Sequence, residues 1–162
     1  MKREEPIELF MPPNMLKAKM GNGHSGVDMA ALKRAEAAMR ELKSKFGDWL
    51  VEDLRVLGAA RAAYAEGANP DARAALLRAA HDIKGQAPTF NYPLIARVAG
   101  SLSRMIGELP PQAAIPLNLV DAHVNAIMVI HKSKLQNTND RTAQALCAEL
   151  DARVDEVLAE SK

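Results

Sequence analysis

From Val27 onward, apolar residues recur every three or four positions in a charged background, the spacing that lines one side of an α-helix. Leu32, Ala35, Met39, Leu42 and Phe46 form the first series, and Gly47 followed by Asp48 reads as a helix stop and a fresh N-cap. A second helix is predicted over about 49–66, with Trp49, Leu50, Leu54, Leu57, Ala60 and Tyr64 on its apolar faces and Gly67 closing it. Asn69, Pro70 and Asp71 then supply a capping amide, a proline suited to a first helical turn and an acid at the positive end of the helix dipole. The third helix should end at 89–91, where Asn91 suits a left-handed turn and Pro93 the first turn of the next helix. That fourth helix is predicted over about 92–107, ended by GELPPQ. A fifth runs over about 114–135 and a sixth over about 139–160.

Six helices on short connections predict an all-α fold, an antiparallel four-helix bundle with additional flanking helices. Composition agrees: nearly half the residues are apolar, aromatics are few, and alanine, leucine and methionine abound. The chain thus divides into an arm, 1–26, and a helical domain, 27–162. Prolines 6, 12 and 13 and glycines 21, 23 and 26 keep the arm from regular structure, yet Ile7, Leu9, Phe10, Met11, Met15 and Leu16 make it more apolar than a solvated tail. Docking on the body or a sister subunit and plain disorder are both open to it.

Charge narrows the function classes. The formal net charge is +1, with acids and bases interspersed, so neither a nucleic-acid footprint nor a polybasic membrane patch is present and protein partners are expected. Cys147 alone excludes an internal disulfide framework, no apolar run reaches the roughly 18–20 residues of a membrane span, and the opening MKREEPIELF lacks a secretory signal's apolar stretch. A cytoplasmic location is expected.

The stretch AHDIKGQAPTF, 80–90, carries the candidate chemistry. At about 100° per residue, Leu76, Ala80, Ile83 and Ala87 define a buried stripe, and His81 falls roughly 130° from its centre, on the side shared by Leu77, Lys84, Gly85 and Pro88. The imidazole should therefore be accessible. Gly85 clears the approach one turn on, although glycine costs a helix about 1 kcal/mol relative to alanine. Lys84 can bring its ammonium beside an anion on the ring. A nucleophilic nitrogen, a nearby cation and an uncrowded surface suit phosphoryl transfer to and from histidine.

HDIKGQAPTF, in the second helix of the expected core and just before a tight turn, resembles the histidine-containing phosphotransfer (HPt) domains of multistep phosphorelays. Their motif is H-x-x-K-G, then small residues, an apolar residue and usually a glycine ten after the histidine. The resemblance covers roughly residues 48–135. It implies that His81 carries the phosphoryl group, Lys84 stabilises it and Gly85 keeps the approach open, with Gln86 a polar neighbour and Phe90 an apolar anchor. Asn91 stands where the family usually has glycine and preserves a positive φ. Asp82, directly after the histidine, is more typical of the dimerisation helices of sensor kinases, but the chain has no room for an ATP-binding domain and no glycine-rich nucleotide lid. Neither kinase nor phosphatase activity is expected.

The implied partners are receiver domains of response regulators and a hybrid histidine kinase, docking around Leu77, Gly85, Gln86, Pro88 and, from the fourth helix, Arg97 and Ser101. No cofactor is expected, Mg²⁺ coming from the receiver, and the chain is expected to act as a monomer. The alternatives are a non-catalytic helical interaction or scaffold module and a kinase-derived dimeric phosphotransferase. His123 and His131 lie eight apart on neighbouring faces without convincing ligands nearby, so they read as polar or boundary positions rather than a metal site. Cys147 reads as a packed thiol, and Asp140, Arg141, Glu149 and Arg153 as surface charges.

Overall fold

A computed structural model describes residues 28–162; the expected arm lies outside the described residues. The described residues fall into two units, 28–39 and 40–162. In the first, Asp28 starts helix α1 (Met29–Glu66): its carboxylate accepts from the Ala30 amide at 3.1 Å and its carbonyl from the Leu32 amide at 2.9 Å. Leu32 and Met39 are exposed here.

The second unit contains the rest of α1, then α2 (Pro70–Gln86), a 3₁₀ turn (Ala87–Phe90), α3 (Pro93–Glu108), α4 (Leu117–Lys132) and α5 (Arg141–Glu160). The helix break expected at Gly47–Asp48 does not occur, so α1 is continuous and the described helices number five rather than six. A glycine inside a helix costs only about 1 kcal/mol, too little to interrupt good helix formers on both sides. Gly47 lies half-buried inside α1, and a Cβ there would meet the His131 Nε2 at 3.9 Å, an ordinary contact distance.

The other local signals act as expected. The Asn69 side chain caps α2 by accepting from the Ala72 amide at 2.8 Å, and Asn91 takes φ 63° and ψ 43° after the 3₁₀ turn. That turn is closed by the amides of Asn91 and Tyr92, which donate to the carbonyls of Pro88 and Ala87. Asp140, read as a surface charge, is the N-cap of α5, accepting from the Ala143 amide at 2.7 Å.

The four-helix bundle consists of α1, α2, α3 and α4. Helices α2 and α3 share the most extensive interface, and α3 also packs on α4. Two contacts close α1 against the α4 side: Arg61 clamps Asp121 through two hydrogen bonds of 2.9 and 2.7 Å, and the Tyr64 hydroxyl accepts from the Ile115 amide at 3.0 Å. Leu57, Leu76, Ile83, Ile95, Leu102 and Ile127 fill the centre. A single flanking helix, α5, covers α3 and α4 from outside, tied to α3 by Arg97–Asp151 and Arg104–Asp155. The α3–α4 connection is gathered by Arg73 of α2, whose guanidinium donates to the carbonyls of Ile106, Leu109 and Pro110. One side chain thus satisfies carbonyls that the end of α3 leaves without helical partners.

Candidate functional site

The capped start of α2 and its apolar stripe set the helix's rotation. Leu76, Ala80, Ile83 and Ala87 are buried, which leaves His81, Lys84, Gly85 and Pro88 exposed on the outward side. Nothing lies within 4 Å of where a Gly85 Cβ would stand. No internal packing therefore requires a glycine there, and the open space faces outward, one turn from the imidazole.

Lys84 leans toward α3. A Cβ on Gly100 would lie 3.6 Å from both Cδ and Cε of Lys84, so the lysine's stem rests at contact distance from α3. Leu77 also turns to α3, its Cδ1 3.9 Å from where a Gly107 Cβ would lie, and is only partly exposed. Gln86 is half-buried, and so is Phe90, whose ring meets the Trp49 ring edge-on with centroids 5.3 Å apart.

The α3 contribution differs from expectation. Ser101 is 5 % exposed and cannot belong to an accessible surface, while Arg97 is exposed but engaged with Asp151 by hydrogen bonds of 3.0 and 2.8 Å. The reason is α5, which covers the α3 face carrying Arg97, Ser101 and Arg104. The α3 residue that borders the lysine is Gly100.

On the opposite flank, α1 contributes residues that the sequence reading did not assign to the site. Trp49 and Val56 are 49 % and 43 % exposed and lie on the same side of α1 as Asp53. Burial, then the charges of Asp82 and Glu52, holds the Asp53 carboxyl above its usual range, which puts it within electrostatic reach of the residue next to His81. The signal was present as Trp49, Asp53 and Val56 at helical spacing. It acquires meaning only once α1 is known to lie beside α2.

The other histidines stand apart from this face. His123 is fully buried rather than at a boundary: its Nδ1–H donates to the Leu119 carbonyl at 2.7 Å and its Nε2 has no hydrogen-bond partner. Burial holds its pKa below the ordinary value, against the opposing pull of the Leu119 carbonyl and Asp151. Helix α5 again makes the difference, because it covers α4. His131 is half-buried against Tyr92, with ring centroids 5.8 Å apart. Cys147 is buried and its thiol is pushed up by that burial, as suits a packed cysteine. Among the described residues, no three His, Cys, Asp or Glu side chains converge in a way that would hold a metal ion.

An exposed histidine, an adjacent lysine and an open glycine on a bundle helix suit a protein that hands on a phosphoryl group. The Hpt domain family model matches residues 41–160, and the chain belongs to that family. No curated protein and no solved structure is significantly similar to it. Hpt domains perform histidine phosphotransfer in phosphorelays and interact there with receiver domains and kinases. Among the described residues no helix is long and apolar enough to cross a membrane.

Proposed function

We propose that His81 is the phosphoryl carrier of a multistep relay, accepting the group from the aspartyl phosphate of one receiver domain and passing it to the aspartate of another. An unprotonated ring nitrogen attacks phosphorus, the N–P bond forms as the P–O bond breaks, and the electron pair leaves with the donor carboxylate. The second transfer reverses these events on a new carboxylate. Lys84 offsets charge on the phosphoryl oxygens, and its stem resting over Gly100 limits the directions in which its ammonium swings.

The observation behind this reading is the outward opening at Gly85 one turn from an exposed His81, on a helix whose other faces are packed. The partner surface extends from His81 over Gly85 and Pro88 to Trp49 and Val56 on α1. The receiver supplies any Mg²⁺ that the transfer requires.

The test is incubation with a phosphorylated receiver or an active hybrid kinase, reading for label on this chain that is acid-labile and alkali-stable. Wild type is expected to take up such label and His81→Gln none. Absence of label on wild type with every donor tried, or equal labelling of the variant, overturns the assignment.

A further inference from the structure

A groove of about 500 Å³ lies away from the outward face of α2, between α1, the turn after α2 and the end of α4. Its polar lining is cationic: Lys43 comes from α1, and Lys132 and Lys134 from the end of α4 and just beyond it. Among the described residues no carboxylate lines it, and none of the three lysines enters an ion pair. The uncharged remainder of the wall is Ser44, Gln136 and three rings, those of Phe90, Tyr92 and His131. In a chain whose net charge is +1, three lysines around one recess are a local concentration of charge rather than a reflection of composition.

The backbone at Lys134 adds a second observation. Helix α4 ends in a reverse turn in which the Leu135 amide donates to the Ile130 carbonyl and the Lys134 amide to the His131 carbonyl, both at 3.1 Å. That motif places Lys134 at φ 51°, a conformation in which glycine is the least strained residue. A lysine there costs stability that glycine would spare, although its charge also suits the negative end of the helix. What the lysine adds is a third ammonium at the groove.

We infer that this groove binds a small phosphorylated anion: the lysines take its clustered phosphate groups and the ring wall takes an apolar or planar portion. The volume falls within the range of small-molecule sites, and lysine recognises phosphate as a point charge on a flexible stem. Two sources supply this chemistry, an inorganic polyphosphate and a nucleoside polyphosphate, and the ring wall favours the second. Trp49, the chain's only tryptophan, stands against Phe90 and so reports on the groove.

The experiment titrates the full chain with ATP and, separately, with tripolyphosphate at physiological ionic strength, by calorimetry and by Trp49 emission excited at the red edge. Saturable binding is expected for both, severalfold tighter for ATP. Lys132→Ala should weaken it about tenfold, the effect of one charge-assisted contact. Lys134→Gly should weaken it similarly while raising thermal stability, because glycine relieves the positive φ; this variant separates binding from folding. No saturation by either probe overturns the inference, and so does unchanged affinity in Lys134→Gly, which would leave the lysine only its role at the helix end. Equal affinity for the two probes overturns the part given to the rings.

Discussion

Two histidines on helices of the same bundle have opposite fates. His81 is exposed on α2 with open space one turn away, whereas His123 on α4 is 0 % exposed and has a ring nitrogen without a partner. Each sits on an amphipathic helix; the stripe of α2 places His81 outward, but the sequence of α4 does not state that His123 is buried. The difference arises because α5 lies over α3 and α4 while, among the described residues, no helix covers the outer side of α2. Chemistry at a histidine thus depends on what the fold leaves uncovered, and burial turns the same imidazole into a stability element.

Substitutions should separate the two roles. The largest effect is expected for His81→Gln, which removes all phosphoryl uptake while chemical denaturation finds stability within about 0.5 kcal/mol of wild type, as for most exposed positions. The converse variant, His123→Ala, should keep uptake in the folded fraction but lose about 2–4 kcal/mol, through the cavity left by a fully buried ring. If His123→Ala abolished uptake with stability intact, the contrast between carrier and core residue would fail.

Acidification sharpens the same comparison. Because burial lowers the pKa of His123 in the folded chain, the unfolded chain binds its proton more readily. Stability is then complete above the ordinary value of 6.5 and declines as pH falls through the lower folded value. The slope for one proton is at most about 1.4 kcal/mol per pH unit. His131 is shifted in the same direction by partial burial, so the control is His123→Leu, an apolar side chain of similar size. Denaturation midpoints between neutral and mildly acidic pH should flatten in that variant. An unchanged slope would assign the dependence elsewhere.

Smaller effects are expected around the carrier. Lys84→Ala should slow transfer severalfold in rapid-mixing assays with the fold intact; an unchanged rate would remove the lysine from the mechanism. Gly85→Ala is the subtlest, since its Cβ would meet nothing within the chain. It should raise stability by about 0.5–1 kcal/mol and slow transfer by crowding the partner's approach. A variant both more stable and equally fast would mean that the open position serves no docking partner.

How much of this was legible depended on distance along the chain. The limits of α2 and the turn after it were readable because Asn69 caps within three residues and Asn91 takes the left-handed conformation its short amide side chain tolerates. The rotation of α2 was readable from Leu76, Ala80, Ile83 and Ala87, and with it the exposure of His81, Lys84 and Gly85. The same local rules misread Gly47 as a helix stop, whereas it lies inside the continuous α1. They also misplaced Ser101 at the surface and gave no notice that Arg73 would gather the α3–α4 connection.

Local sequence was therefore enough for the helical class, the identity of the candidate carrier and the side of α2 on which it stands. Caps, turns and hydrophobic periodicity act over one or two turns and need no partner. Packing between distant segments was needed to set Trp49 and Val56 beside the histidine helix and to bury Ser101 and His123 under α5. Those outcomes depend on which surfaces meet, and a helix's own periodicity does not say which of its faces a distant segment will cover.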